Sequence, residues 1–160
     1  MSHTIQDIDF NGEHCHFKAA SINVVHDSCH ISENIQTNHI VGHCKSEVIK
    51  RSLATDKGQV AINAKAVVSV GADGSDVAQS LKNILLSDDA NIYSRPELEI
   101  NTDDVIAAHG STIGELDEVA LTYLRSRGIP KEQAKLMLIE SFLQDANIFK
   151  NEDFLDRIEL

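Results

Sequence analysis

A chain of 160 residues, 42% of them hydrophobic, can bury one ordinary core, so a single structural domain with an appendage is expected. The net charge of −11 has the wrong sign for a phosphate-binding surface and argues against nucleic acid as a partner. Three cysteines are too few and odd in number for a disulfide framework. Nor is there an apolar run of about 18 residues or a signal-peptide pattern, so the chain reads as a cytoplasmic protein with reduced thiols and no membrane contact.

Aromatic residues make up only 4% and Trp is absent, so Val, Ile, Leu and Ala must fill the core. Charge is uneven along the chain. Residues 1–86 carry 9 acids and 7 bases, whereas residues 87–160 carry 16 acids and 7 bases. An acidic second half keeps the chain soluble or meets a basic partner.

From Phe17 to about Ala72 the pattern is β-rich, with strands expected at Ala19–Val25, Glu47–Leu53, Gln59–Asn63 and Lys65–Val70. Polar corners such as His26-Asp27-Ser28 and Ala54–Gly58 part them, and Asp73-Gly74 is the one tight-turn pair. No helical segment lies between consecutive strands, as a βαβ unit would require. Cys15, Cys29 and Cys44 recur at near-constant spacing, each beside a histidine: His14 and His16, His30, and His43. Such recurrence fits a solenoid whose coils stack equivalent positions, provided the coils keep equal length.

Thiolates and imidazoles are ligands for zinc or iron, so Cys15, Cys29, His30, His43 and Cys44 are candidate metal ligands. The competing reading makes the cysteines small packing residues and the histidines corner groups. On the first reading the chain is a small β-solenoid metal-binding protein or metalloenzyme built on Cys/His rungs. Beyond this region Val77, Leu81 and Leu85 fall at a spacing of four, which suits a short helix over Ser75–Leu86.

Between Ser94 and Pro130 a strand with Pro96, Leu98 and Ile100 leads to Asp103-Asp104 and then to His109, set among Ala107, Ala108 and Gly110. Adjacent carboxylates on a strand would face opposite sides, so a turn or exposed strand end is expected for Asp103 and Asp104. His109 is expected between a strand and a helix, with little bulky cover. Leu116, Val119, Ala120, Tyr123 and Leu124 then form a helical stripe, with Asp117 and Glu118 in the first turn and Arg125 and Arg127 in the last. Gly128 stops that helix, and Pro130 starts a second presenting Ala134, Met137, Leu138, Ser141 and Phe142. Asn151 caps a third segment with Phe154, Leu155 and Ile158. No phosphate-binding GxxxxGK[ST], GxGxxG or GxSxG motif occurs, so any nucleotide hydrolysis belongs to a partner.

These motifs resemble the C-terminal part of the SufB/SufD family of iron–sulfur cluster assembly proteins, its SufD branch more than its SufB branch. The resemblance rests on the stretch Ser94–Pro130, on His109-Gly110-Ser111-Thr112-Ile113-Gly114, on Gly42–Ser46 with Lys50 and Asp56–Gln59, and on Leu124–Ile129. Departures are Ile62-Asn63-Ala64 where the family has Phe-Asn-Gly, and Ala107 where a cysteine is often found.

The resemblance implies a mainly β fold, a right-handed parallel β-helix core over 1–114 followed by a helical subdomain over 115–160, in which Ser75–Leu86 belongs to the β core. It also implies a non-enzymatic SufD-like component acting with a SufB-like subunit and a SufC-like ABC ATPase. His109 is then the cluster-assembly residue, and Leu116, Tyr123, Leu124, Arg125 and Arg127 are partner-binding residues. An iron–sulfur cluster would be held only transiently. A truncated solenoid exposes strand edges, so a homodimer is expected for the isolated chain.

Overall fold

The computed structural model describes residues 1–144, 146 and 147. Eight strands precede two helices: β1 (Ser2–Phe10), β2 (His16–Val25), β3 (His30–His39), β4 (Lys45–Ala54), β5 (Gln59–Val68), β6 (Ser75–Leu85), β7 (Asn91–Ile100), β8 (Val105–Gly114), α1 (Glu118–Ser126) and α2 (Lys131–Gln144). Odd strands form one parallel sheet in the order β1-β3-β5-β7, and even strands form another in the order β2-β4-β6-β8. The chain therefore winds through four coils of two strands each, the parallel β-solenoid that the resemblance implies.

The coils are unequal. His16 pairs with Lys45, 29 residues on, but Lys45 pairs with Asp76, 31 residues on. Longer corners absorb the difference, so the register within each sheet runs unbroken and equal coil length is not needed. At one edge of the solenoid His14 (φ 59°), His43 (φ 57°) and Gly74 (φ 70°) occupy successive left-handed corners. His43 lies so close over Gly74 that a side chain there would collide with the imidazole.

Alternation sends one face of every strand into the lumen between the sheets. Val25, Ile35, Val48, Val60, Ile62 and Leu81 make its apolar centre. The lumen is not wholly apolar. Lys50 on β4 and Glu33 on β3 form an ion pair of 3.3 Å across it, with side chains 3% and 12% exposed. Ser21 and Asn23 on β2 donate to the same carboxylate at 2.8 and 3.0 Å.

Further along β3 His39 is buried too, with Nε2 sharing a 2.8 Å hydrogen bond with Ser46 and its ring 4.4 Å from that of Phe10. Burial pushes the His39 imidazole below its ordinary value. An unfolded His39 titrates near about 6.5, so below that pH the unfolded state binds the extra proton first. This contribution to stability is complete above that pH and is lost as pH falls through the lower folded value. His39→Gln should flatten the fall in urea-unfolding free energy between pH 7.5 and 5.5 by up to about 1.4 kcal/mol per pH unit. An unchanged slope in the variant would refute the assignment.

On the outer face of the even sheet, Ile22 and Val24, Leu53, and Ile84 from three successive coils meet Ile139, Phe142 and Leu143 of α2. Arg51 is buried in the same layer. Its guanidinium donates to the carbonyl oxygens of Lys50 and Ser80 at 2.9 and 3.2 Å and lies 6.0 Å from the Phe142 ring centre. Asp117 caps α1 by accepting from the backbone N–H of Val119 and Ala120, both at 2.9 Å. Gly128 (φ 88°) ends it, and the Pro130 carbonyl accepts from Ala134 in the first turn of α2.

Several sequence expectations change here. Ser75–Leu85, whose spacing suits a helix and which the resemblance places in the β core, is a strand, while Ser2–Phe10 and His30–His39 are strands that no apolar alternation announced. Gln59–Val68 is one strand rather than two. The α1 stripe divides: Leu121 is buried and Leu116 packs on the core, whereas Val119 and Tyr123 face outward. In α2 the buried residues are Ala134, Ile139 and Leu143, with Met137 exposed. The segment expected around Asn151 lies outside the described residues.

Candidate functional site

The last coil is the most open part of the solenoid. Strand β8 ends its sheet among the described residues, so one side of its backbone has no strand neighbour there, and all its residues except Val105 are exposed. His109 sits in the middle of this strand, in register with Gln79. That corrects the expectation of a position between strand and helix.

The direction of the imidazole follows from its neighbours. Ser111, two residues on and therefore on the same face, donates from Oγ to Ser94 Oγ of β7 at 2.8 Å. The His109 face of β8 is thus turned toward the other sheet, continuing the inward column Ala19–Val48–Gln79. In earlier coils this column is covered by the next turn of chain. Here no further coil follows among the described residues, and His109 is an inward-facing side chain that solvent reaches, without a hydrogen bond or ion pair there. Ala107, Ala108 and Gly110 add no bulk around it. An imidazole so placed can bind a metal ion or relay a proton.

Sequence reasoning singled out His109 but missed Ser94 and Ser111 beside it. The period-two step from His109 to Ser111 was the available signal. Asp103 and Asp104 lie in the corner between β7 and β8, where the Asp104 carbonyl accepts from Gly74 N–H at 2.7 Å. They occupy a turn, as expected, and form no acid/base pair.

The Cys/His pairs do not converge. Cys15 and Cys44 stand at one edge of the solenoid, where the rings of His14 and His43 stack at 5.4 Å. Cys29 and His30 stand at the opposite edge, a ten-residue strand of roughly 33 Å away. Cys44 is buried, with Sγ 3.2 Å from the Gly12 carbonyl oxygen. Among the described residues no three His, Cys, Asp or Glu side chains are grouped to hold a metal ion. Among the described residues the three Cys/His rungs therefore do not come together at one point.

Of the helical residues, Leu116 and Leu124 are half-buried, while Tyr123, Arg125 and Arg127 are exposed, with the Arg127 guanidinium 5.3 Å from the Tyr123 ring centre. Val119, Tyr123, Leu136 and Met137 leave substantial apolar surface in solvent. Between the helices and the solenoid opens a cleft of about 750 Å³, with Leu85, Leu116 and Ile139 among its lining and Asp88, Glu115 and Glu118 bearing acidic groups. No described helix is long and apolar enough to cross a membrane.

The profile of the family described as "SUF system FeS cluster assembly, SufBD core domain" matches residues 1–142. The iron–sulfur cluster assembly protein SufD of Escherichia coli is 36% identical over 104 residues, which are 65% of this chain and 25% of that protein. SufD of Bacillus subtilis is 32% identical over 114 residues, 70% of this chain and 26% of the relative. An iron–sulfur cluster assembly SufBD family protein of Mycobacterium tuberculosis is 34% identical over 124 residues, 72% and 31% of the two chains. The chain thus spans a quarter to a third of the length of these relatives.

Proposed function

The chain belongs to the SufBD core family of iron–sulfur cluster assembly proteins, and from that premise we propose that it serves as a SufD-like, non-catalytic scaffold component. A SufB-like subunit meets it across the edge of β8, and a SufC-like ABC ATPase docks on its helices. The iron–sulfur cluster is transient cargo, and the setting is the cytoplasm. The observation that carries this reading is the open last coil, where an unpaired strand edge and the exposed His109 lie side by side. A strand edge recruits a partner through main-chain hydrogen bonds, and the imidazole then stands at the junction. In the isolated chain the same edge pairs two copies in a two-fold homodimer.

The ATPase face is supported by the exposed apolar residues Val119, Tyr123, Leu136 and Met137, flanked by Arg125 and Arg127. Removing residues 115–160 would uncover Leu53 and Arg51, so point variants are the cleaner test. Val119→Glu with Tyr123→Glu should weaken capture of a SufC-like ATPase by at least about tenfold, with the circular dichroism spectrum unchanged. Binding within about twofold of the parent would show that the ATPase does not use this face.

A further inference from the structure

One edge of the solenoid carries a pair of thiols that the scaffold role leaves unused. Cys15 and Cys44 immediately precede His16 and Lys45, which are register partners, so the two cysteines occupy equivalent places one coil apart. Lys45 N–H donates to the Cys15 carbonyl at 2.8 Å, which ties the two positions together. Neighbouring strands lie about 4.8 Å apart, inside the Cα separation of roughly 4.4–6.8 Å that a disulfide accepts. Both side chains continue the inward alternation of Phe17 and Ser46, so they point the same way.

Both sulfurs also gather on Gly12. Cys44 Sγ is 3.2 Å from its carbonyl oxygen, and a methyl group built on Gly12 would lie 3.8 Å from Cys15 Sγ. No side chain at Gly12 stands between them. Access is unequal: Cys15 is exposed at the first coil, whereas Cys44 is covered. Cys29 is exposed at the far edge and out of reach of either within one chain.

We propose that Cys15 and Cys44 are a redox-responsive pair that closes an intramolecular disulfide on meeting hydrogen peroxide. The Cys15 thiolate attacks one peroxide oxygen, the O–O bond breaks, and the departing hydroxide takes a proton to become water. Cys15 is then a sulfenic acid. The Cys44 thiolate attacks the Cys15 sulfur, the S–O bond breaks, and the second hydroxide leaves as water with the proton that Cys44 gave up. Two thiols lose two electrons in all, and one peroxide is reduced to two waters. The new bond staples the first coil, whose strand β1 is exposed along most of its length, to the second.

The test treats the reduced full chain at pH 8 with a single equivalent of hydrogen peroxide, followed by intact mass and non-reducing peptide mapping. The mass should fall by about two units, with the Cys15 and Cys44 peptides joined. Cys29→Ser should behave alike, and Cys15→Ser should give no cross-link. The melting temperature of the oxidised chain should rise by several degrees and return on reduction. A gain of oxygen on Cys15 with no cross-link, or a disulfide only between two chains, would overturn the proposal.

Discussion

Lys50→Met should cost roughly 3–5 kcal/mol of folding stability, the largest loss expected from any single substitution in the lumen. The reason is the carboxylate left behind. Glu33 sits between the sheets with its ammonium partner 3.3 Å away, and Ser21 and Asn23 supply only neutral hydrogen bonds. Without Lys50 no other ion pair holds this charge among the described residues, and little water reaches it. Adding Glu33→Gln should restore most of the loss, because an amide keeps an acceptor for Ser21 and Asn23 and carries no charge. The ion pair is thus expected to contribute little net stability while each half alone is costly. Urea unfolding of the two single variants and the double variant measures the coupling directly. Single-variant losses below about 1 kcal/mol would mean that water reaches Glu33 freely.

His109→Ala is expected to abolish function while leaving the fold intact. The imidazole is exposed and makes no hydrogen bond or ion pair among the described residues, so the change should stay within about 0.5 kcal/mol. Light scattering should show the same molar mass as the parent, because the β8 backbone is untouched. In a cell lacking its own copy, however, the variant should fail to support cluster formation. A clear drop in melting temperature together with full complementation would make His109 a structural residue.

Much of the architecture was legible from the residues, and what was not has a common cause. The lumen is partly polar. Along β6 the inward residues are Ser75, Val77, Gln79, Leu81, Asn83 and Leu85, and the polar members erase every second apolar position. A period of two then looks like a period of four, which is why Val77, Leu81 and Leu85 read as a helix. The same masking hid β3, whose inward face is Ile31, Glu33, Ile35, Thr37 and His39. The cysteine spacing was half a coil, not a whole one. Cys15 and Cys44 share an edge, and Cys29 belongs to the other. His109 stood out by its residue type, but its inward direction needed the Ser111–Ser94 contact, which only the folded chain supplies.

The seat of α2 has a consequence for how the molecule comes apart. Stacked repeats are coupled only to their neighbours, so an unbraced array can lose its end units one at a time. Here a single helix grips Ile22, Leu53 and Ile84, contributed by three different coils. The first three coils cannot peel away independently while that grip holds, so they melt as one cooperative block. The fourth coil, which carries His109, sends no strand residue into that grip and is tied to it through Leu116, just after β8.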